Sequence, residues 1–296
     1  MLLEILDLFS YHSRFSERFA EHDHNNVFQK VKRDLTKYEF GELKRKRVLD
    51  LGCGQRYPFS LQCAAAGAEV IALDTEYIKP DILPIAFYRT VKYSDLKRAL
   101  KSAIRRLFFD RRYYRALEAI AGGTFNASRS LIEFIVADPT GTNYNLPDES
   151  FDLIVSNAVL EHVVDVPLFA REIERLLVSG GFFYSIAHNF YSLSGGHNMD
   201  WAFPDEFPSS KVPPWDHLRE NKYPVSVYLN RHKPEDYQNA FSEHLEVVIF
   251  ESRDINHDPG GWEGESFLTR ELATELAEYP KELLLTRGWC IICRKS

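Results

Sequence analysis

Short apolar runs, bounded by glycine and polar residues, recur along most of the chain. Such runs are typical of buried β-strands, and they occupy residues 48–52, 69–74, 132–138, 151–157, 182–188, 245–250 and 289–294. Helical patterns separate several of these runs. Near-continuous apolar strands that alternate with helices predict a mostly parallel sheet with helices on both faces. We therefore expect an α/β fold with a doubly wound sheet.

A helical pattern covers three other stretches. Residues 1–45 predict a helical N-terminal segment, which leaves 46–296 for the domain that holds the sheet. Residues 60–67 predict a short helix. Residues 166–181 predict an amphipathic helix, because their leucines and isoleucine share one face, and the glycine pair at its end is expected to stop it.

Two segments exceed what the alternation of strands and helices requires. Residues 76–131 number about fifty, where a short crossover between strands would suffice. Residues 189–234 are rich in Trp, His, Pro and Asn. We interpret the first as a helical insertion and the second as a segment that caps the substrate site.

The charge of the chain is uneven. Its 36 Lys and Arg against 43 Asp and Glu give a net charge of -7. That balance makes nucleic-acid binding unlikely, because phosphate neutralisation needs excess cations. Between Lys79 and Arg115, however, eleven basic residues face three acidic ones. The insertion is therefore strongly basic.

Cysteine usage and hydropathy bear on the compartment. Four cysteines are too few for a disulfide scaffold, and the single CxxC motif at Cys290 and Cys293 has no second ligand pair, so no metal site is predicted. No apolar run approaches the ~18–20 residues of a membrane-spanning helix. We expect a cytoplasmic protein.

Three acidic residues follow three successive predicted strands. Asp50 precedes Gly52-Cys53-Gly54, where glycines let the backbone approach a ligand closely. Asp74 follows the next strand and is suited to accept hydrogen bonds from ribose hydroxyls, and Asp138 ends the third strand. Ligands of open α/β sheets bind at the carboxyl ends of the strands. These residues are therefore candidates for a nucleotide-containing ligand.

The combined motifs favour one cofactor class over another. A nicotinamide cofactor would require G-x-G-x-x-G, and the third glycine position here is Tyr57. The motifs VLDLGCG, ALD, VADPTGTNYNLPDESFDLIVSNAVLEHVVD and RLLVSGGFF instead resemble the class I S-adenosylmethionine-dependent methyltransferases. The resemblance covers residues 46–188 without the insertion. It implies a Rossmann-like methyltransferase fold, a seven-stranded sheet whose last strand is antiparallel.

The resemblance also implies which residues contact S-adenosylmethionine. The loop after the first strand would line the methionine side, Asp74 would hold the ribose hydroxyls, and Asp138 the adenine amine. A loop after the fourth predicted strand would lie under the cofactor, near a helix that carries His162. The implied cofactor residues are Asp50, Gly52, Cys53, Gly54, Asp74, Thr75, Asp138, Pro139, Asn157, Ala158 and His162.

One position departs from the family pattern. Many members have a third glycine in G-x-G-x-G, where this chain has Arg56. The arginine could narrow the methionine pocket, or its guanidinium could reach outward to bind substrate. A non-catalytic S-adenosylmethionine-binding protein, with Arg56 closing the path of the methyl group, is therefore one alternative.

The acceptor is suggested by histidines. Methyl transfer is an in-line displacement in which positioning supplies most of the catalysis, but a hydroxyl acceptor gains from a general base. His188 ends a predicted strand and His197 lies close by in sequence, so both are candidate bases. The chain lacks the residue patterns that are typical of enzymes that methylate exocyclic amines of DNA, the C5 atom of cytosine, or arginine side chains of proteins. We expect O-methylation of a small molecule or glycan.

The segment 189–234 provides candidate substrate contacts. Aromatic faces with interspersed polar groups suit polyhydroxylated ligands such as sugars. The candidates are Trp201, Trp215, Asp216 and His217, in addition to Arg56. A structural cap over the sheet edge is an equal alternative. The segment also resembles uncharacterised bacterial methyltransferases associated with surface-glycan or secondary metabolism.

The basic insertion suggests a further contact. Within 94–118, Leu96, Leu100, Ile104 and Phe108 form an apolar stripe beside a row of lysines and arginines. Such a helix could contact an anionic membrane or bind the phosphates of a substrate. Alternatively, it packs on the domain by its apolar stripe, or it supports an RNA methyltransferase.

Overall fold

The computed structural model describes residues 15–77, 79 and 81–296. Within this part the chain forms two compact units, one in residues 15–139 and one in Thr140–Ser296. The predicted boundary between residues 45 and 46 stays a prediction. Among the described residues, no helix is both long and apolar enough to cross a membrane.

The first unit is built on three parallel strands. They are β1 (Arg47–Leu51), β2 (Glu69–Asp74) and β3 (Ile132–Val136), and β2 pairs with both of the others. In the ladder Asp50 is opposite Ala72, and Asp74 is opposite Val136. Because the strands are parallel, their carboxyl ends lie along one edge.

The helices of the first unit lie before β1 and between the strands. A π-helical segment, His22–Phe28, continues into α1 (Gln29–Thr36). Those after β1 are α2 (Pro58–Ala65), α3 (Leu83–Tyr93), α4 (Leu96–Phe108), α5 (Asp110–Ala121) and α6 (Asn126–Arg129). The insertion therefore contains a helix pair, α4 and α5, preceded by a third helix. Of the helix predicted over 1–45, residues 15–36 are helical, 37–46 contain turns, and 1–14 lie outside the described residues.

The second unit carries the mixed part of the sheet. Its strands are β4 (Phe151–Asn157), β5 (Leu177–His188), β6 (Glu246–Arg253) and β7 (Gly288–Arg294). β4 and β5 are parallel, whereas β7 runs antiparallel to β5 and β6. The strand order β3-β2-β1-β4-β5-β7-β6 confirms the expected seven-stranded α/β sheet with an antiparallel last strand.

Four α-helices accompany these strands. They are α7 (Val166–Leu176), α8 (Pro234–Ser242), α9 (Arg270–Glu275) and α10 (Lys281–Leu285). The prediction of a helix over 166–181 is wrong at its end, because the chain is already extended at Leu177. Gly180 has φ +76°, and its N–H donates to the Lys295 carbonyl at 2.8 Å. That pairing continues the strand and replaces the helical hydrogen bonds.

Candidate cofactor and acceptor residues

The loop after β1 is shaped by two glycines. Gly52 and Gly54 have φ values of 70° and 69°, in the left-handed region that favours glycine. The N–H groups of Gly52 and Cys53 both donate to the Leu73 carbonyl, at 2.8 and 3.2 Å. A Cβ added at Gly54 would meet no atom within 4 Å. The loop is thus fixed to the end of β2 while one side of its backbone stays open to a ligand.

Asp50 fixes the start of this loop to the following helix. Its Oδ2 accepts hydrogen bonds from the backbone N–H of Ser60 at 3.2 Å and from the Ser60 hydroxyl at 2.5 Å. The side chain is buried, and desolvation raises the pKa of Asp50 to about 7 although both hydrogen bonds oppose that shift. Asp50 therefore stabilises the first turn of α2, whatever else it binds.

Asp74 holds the same loop from the end of β2. Its Oδ2 accepts from the N–H of Gly54 at 2.9 Å, and its Oδ1 accepts from the N–H of Glu76 at 3.0 Å. Desolvation raises the pKa of Asp74, while these two hydrogen bonds lower it. Each oxygen retains acceptor capacity, so the carboxylate is oriented and still able to bind hydroxyl groups. Thr75 lies beside it, with its hydroxyl 3.4 Å from Oδ1.

Cys53, Asp138 and Pro139 complete the predicted set in the first unit. Burial raises the pKa of the Cys53 thiol well above its usual value, so this cysteine is chemically quiet. Asp138 is exposed and Pro139 is buried, two and three residues beyond the end of β3. The structure thus joins Asp50, Gly54 and Asp74 through one hydrogen-bonded loop, and Asp138 follows the neighbouring strand.

Arg56 contacts the insertion. Its Nε donates to Asp110 Oδ1 at 2.8 Å, and its guanidinium lies over the Tyr113 ring, 4.4 Å from the centroid. The Tyr114 hydroxyl also donates to the Arg56 carbonyl at 3.1 Å. The side chain is therefore held by α5, and the role predicted for Arg56 in substrate binding stays a prediction.

A cationic cavity of about 280 Å³ lies between this loop and the insertion helices. It is lined by Gln55, Tyr57, Tyr77, Lys79, Ser102, Arg105, Arg106, Asp110, Arg111, Tyr114 and Arg129. Five of these side chains are basic and one is acidic. The sequence indicated Arg105, Arg106 and Arg111 but missed Arg129, which lies beyond the basic stretch. Arg112 instead pairs with Glu17 at 2.9 Å.

The second unit places its predicted cofactor residues after β4. Asn157 ends the strand and is half-buried, and Ala158 follows in the left-handed region with φ 55°. The Ala158 N–H donates to the Ile186 carbonyl at 2.8 Å, which fixes this turn to β5. His162 Nδ1 lies 2.8 Å from the Tyr228 carbonyl oxygen. These contacts order the backbone around the turn.

Two predicted bases meet a buried carboxylate in the second unit. The side chains of Glu161, His188 and His197 each bring one potential ligand atom within 4.8 Å of the others. The backbone N–H of His188 donates to Glu161 Oε2 at 3.3 Å, and Glu161 Oε1 is 3.7 Å from His197 Nε2. Glu161 is only 1 % exposed. Nothing in the sequence around Glu161 indicates the two histidines that it meets in the structure.

Burial controls ionisation in this cluster. Desolvation raises the pKa of Glu161 to about 8 and lowers the pKa of His188 well below its usual value. The pKa of His197 falls to about 4, through desolvation and the neighbouring His162 and Arg287. Both imidazoles are therefore neutral at pH 7, with a free lone pair. Both imidazoles therefore have a pKa below the near-neutral range that suits a general base.

The aromatic cap residues are buried. Trp201 and Trp215 are 3 % and 0 % exposed and share a core cluster with Leu193 and Leu285. The Asp216 carboxylate accepts from the N–H groups of Lys222 and Tyr223, at 3.1 and 2.8 Å. His217 Nε2 lies 2.8 Å from the Phe190 carbonyl oxygen. The two indoles are core residues that present no face to a sugar in this structure, and the substrate roles predicted for Trp201, Trp215, Asp216 and His217 stay predictions.

Comparison with known proteins adds the family. The sequence model of a family described as a methyltransferase domain matches residues 19–221. Among curated proteins, none matches this sequence. Solved structures similar to this chain include an S-adenosylmethionine-dependent methyltransferase from Mesorhizobium loti, with 19% identity, coverage of 86% of this chain and 93% of that one, and a TM-score of 0.46.

Two archaeal structures are similar at the same level. One is an S-adenosylmethionine-dependent methyltransferase from Methanosarcina mazei, with 15% identity, coverage of 88% of this chain and 96% of that one, and a TM-score of 0.45. The other is a complex between the Trm112 methyltransferase activator of Haloferax volcanii and a methyltransferase. Its similarity to this chain has 17% identity, coverage of 97% of this chain and 96% of that one, and a TM-score of 0.48.

Proposed function

The chain belongs to the class I S-adenosylmethionine-dependent methyltransferases, and we propose that it methylates a hydroxyl oxygen of a small-molecule or glycan acceptor. The observation that carries the choice of oxygen is the pair of neutral imidazoles, His188 and His197, whose ring centroids are 4.7 Å apart. A neutral imidazole nitrogen accepts a hydrogen bond from a hydroxyl group. A hydroxyl acceptor needs such a partner for its proton.

The proposed cofactor residues are those that the family resemblance implies. In the first unit, the left-handed Gly52 and Gly54 and the open side of their loop fit a ligand held against the backbone. Bound S-adenosylmethionine supplies a methyl group on a sulfonium sulfur. The full proposed set is Asp50, Gly52, Cys53, Gly54, Asp74, Thr75, Asp138, Pro139, Asn157, Ala158 and His162.

The acceptor chemistry follows from the state of the histidines. As the methyl carbon bonds to the acceptor oxygen, its bond to sulfur breaks and the hydroxyl proton must leave. With a pKa of about 4, His197 is a weak base at neutral pH. We therefore assign His188 and His197 to orienting the hydroxyl by accepting its hydrogen bond, while water takes the proton away.

We also propose that the cationic cavity of the first unit binds an anionic group of a substrate. The cationic cavity has room for a phosphate, and its arginines offer paired N–H donors that match phosphate oxygens. Arg105 is only 9 % exposed, so its guanidinium is largely removed from water. Charge-assisted hydrogen bonds are strongest in such surroundings. A phosphorylated or nucleotide-linked acceptor fits this cavity best.

A lipid surface is a second proposed contact of the insertion. Leu96, Leu107 and Phe108 of α4 are each more than 60 % exposed, although apolar side chains of this size are usually buried. Lysines and arginines flank them along the same helix. Exposed apolar residues among cations are typical of helices that bind anionic bilayers.

Acceptor identification tests the proposed function. The protein is incubated with methyl-labelled S-adenosylmethionine and a panel of free sugars, phosphorylated sugars, phenols, amines and RNA. We expect the label on an oxygen of a small acceptor, and the phosphorylated sugars to be the better substrates. A label found only on nitrogen, carbon or RNA would replace this proposal, and salt-dependent RNA binding would accompany the last case.

A further inference from the structure

The cluster at the end of β5 has the composition of a metal site. We propose that Glu161, His188 and His197 bind a divalent transition-metal ion, with Zn²⁺ as the reference ion. The three potential ligand atoms lie within 4.8 Å of one another, and each comes from a different residue. The sequence predicted no metal site, because its CxxC motif has no second ligand pair. These ligands come instead from three separate positions that the second unit brings together.

Two atoms in the cluster are buried without a hydrogen-bond partner. They are Glu161 Oε1 and His197 Nε2, which are 3.7 Å apart. That separation is too long for a hydrogen bond, so both atoms carry the desolvation cost of an unsatisfied buried polar group. Ligand atoms of one tetrahedral zinc ion, with bonds of about 2.0–2.2 Å, lie roughly 3.3 Å apart. A cation between the two atoms would satisfy both, while the wider separations in the cluster shorten.

The surroundings of His188 resemble those of a metal-bound imidazole. Its Nε2 lies 2.8 Å from the Ser194 hydroxyl, whose proton goes to Glu263 Oε1 at 2.6 Å. Arg287 donates to the same hydroxyl at 3.1 Å and pairs with Glu263. This series of hydrogen bonds places the imidazole proton of His188 on Nε2, because the Ser194 hydroxyl already donates its own proton. The lone pair of Nδ1 is then left for an ion. Metal-bound histidines usually donate their second N–H to such a polar group.

The donor set selects the class of ion. Two imidazoles and one carboxylate suit zinc, iron or cobalt, whereas magnesium and calcium prefer oxygen ligands alone. Three protein ligands leave open coordination positions. With an ion bound, both imidazole lone pairs would be used as metal ligands, so under the proposed O-methylation the acceptor oxygen would contact the ion in place of the imidazoles and would lose its proton more readily. That role, unlike the site itself, rests on the proposed function.

Cobalt titration tests the site without any acceptor or methyl donor. Chelator-treated protein is titrated with Co²⁺, whose visible absorption reports nitrogen and oxygen ligation, and Zn²⁺ is added in competition. We expect one Co²⁺ per chain, displaced by one Zn²⁺. Glu161→Gln and His197→Gln should each weaken binding at least 10-fold. Ser194→Ala should weaken it less, because it removes only the partner of a ligand.

A matched control comes from another histidine–carboxylate pair. His244 Nδ1 lies 3.1 Å from Glu174 Oε2, and within the described part of the chain no third potential ligand forms a cluster with them. His244→Gln should therefore leave Co²⁺ binding unchanged. Near-UV circular dichroism and S-adenosylmethionine affinity verify that each variant is folded. Absence of stoichiometric Co²⁺ binding to the unmodified protein, or equal binding by the Glu161 and His197 variants, would overturn the proposal. Binding without any effect on turnover would keep the site and remove its role in methyl transfer.

Discussion

Single side chains determine how the loop after β1 is held, and Asp74 is the first to test. Its side chain is half-buried and accepts hydrogen bonds from the N–H groups of Gly54 and Glu76. We expect Asp74→Ala to weaken S-adenosylmethionine binding by ~1–3 kcal/mol, the cost of losing a hydrogen bond to a charged group. Isothermal titration calorimetry measures this change.

Asp95→Ala is the control for that variant. Asp95 also accepts a backbone hydrogen bond, from the N–H of Arg98 at 2.7 Å, but at the start of α4. The Asp95→Ala variant should be less stable, because it loses the N-cap of α4, but its affinity for S-adenosylmethionine should be unchanged. Unchanged affinity in Asp74→Ala would remove Asp74 from the proposed cofactor set.

Asp50 makes stability depend on pH. Burial raises its pKa from 3.8 to about 7, so the folded state holds a proton that the unfolded state releases. Its contribution to stability is therefore complete below pH 4 and is lost as pH rises to about 7, at no more than ~1.4 kcal/mol per pH unit. Relative to Asp50→Asn, the free energy of unfolding of the unmodified protein should fall across this window. Urea unfolding at pH 4.5, 6 and 7.5 measures it, and parallel pH profiles would contradict the assignment.

The residues that sequence could identify are those with local signals. The positions of Asp50 and Asp74 near strand ends could be predicted because each stands beside glycines or a turn in the sequence. The pairing of Arg56 could not be predicted, because its partner Asp110 is 54 positions away in sequence. The burial of Trp201 and Trp215 could not be predicted either, because it depends on core neighbours from throughout the second unit.

Among the elements, the helix pair of the insertion supplies most of the cationic cavity. Arg106→Gln with Arg111→Gln should raise KM for an anionic acceptor by about 10-fold or more, because each guanidinium loses charge-assisted hydrogen bonds. Affinity for S-adenosylmethionine should stay unchanged. Steady-state kinetics with the identified acceptor measure the effect.

Arg112→Gln is the matched control for this double variant. It removes a guanidinium from the same helix, but Arg112 pairs with Glu17 and does not line the cavity. Its kinetics should equal those of the unmodified protein. If the double variant also retained its KM, the cavity would not bind the acceptor.

The cap segment is stabilised by its buried indoles. Trp215 is fully buried, whereas Trp262 is 44 % exposed. Trp215→Ala should lower the free energy of unfolding by about 3–5 kcal/mol through lost burial and a cavity. Trp262→Ala should change it by less than about 0.5 kcal/mol. Urea denaturation compares them, and similar losses would argue against a structural role for the cap core.

Element boundaries show the limit of local patterns. Residues 166–176 form the predicted helix because their apolar positions repeat at helical spacing. Leu177 continues that spacing, yet it pairs with Phe151 in the sheet. A strand partner distant in sequence outweighs the local helical preference, and a single sequence does not reveal that partner.

At the scale of the whole molecule, average charge and local charge point in opposite directions. The net charge of -7 predicts repulsion from an anionic surface, while the insertion concentrates cations beside exposed apolar side chains. Protein should therefore sediment with vesicles that contain anionic lipid, and less so as salt is raised. Leu107→Ser with Phe108→Ser should weaken this binding several-fold.

Leu131→Ser controls for loss of surface hydrophobicity alone. Leu131 is 63 % exposed and lies outside the helix pair. Its substitution should leave vesicle binding unchanged. Equal binding by all three proteins, or binding that neutral vesicles reproduce, would exclude the lipid contact through α4.

The pairing of Arg56 with Asp110 has a consequence for the evolution of this chain. An insertion gained or exchanged as a cassette would have to arrive together with a change at position 56. Without Asp110 the guanidinium, 11 % exposed, would lose its carboxylate, and a glycine at 56 would leave Asp110 to Arg105 alone. A chimera that exchanges residues 76–131 should therefore exchange the loop after β1 with them, so that the pair of Arg56 and Asp110 is kept.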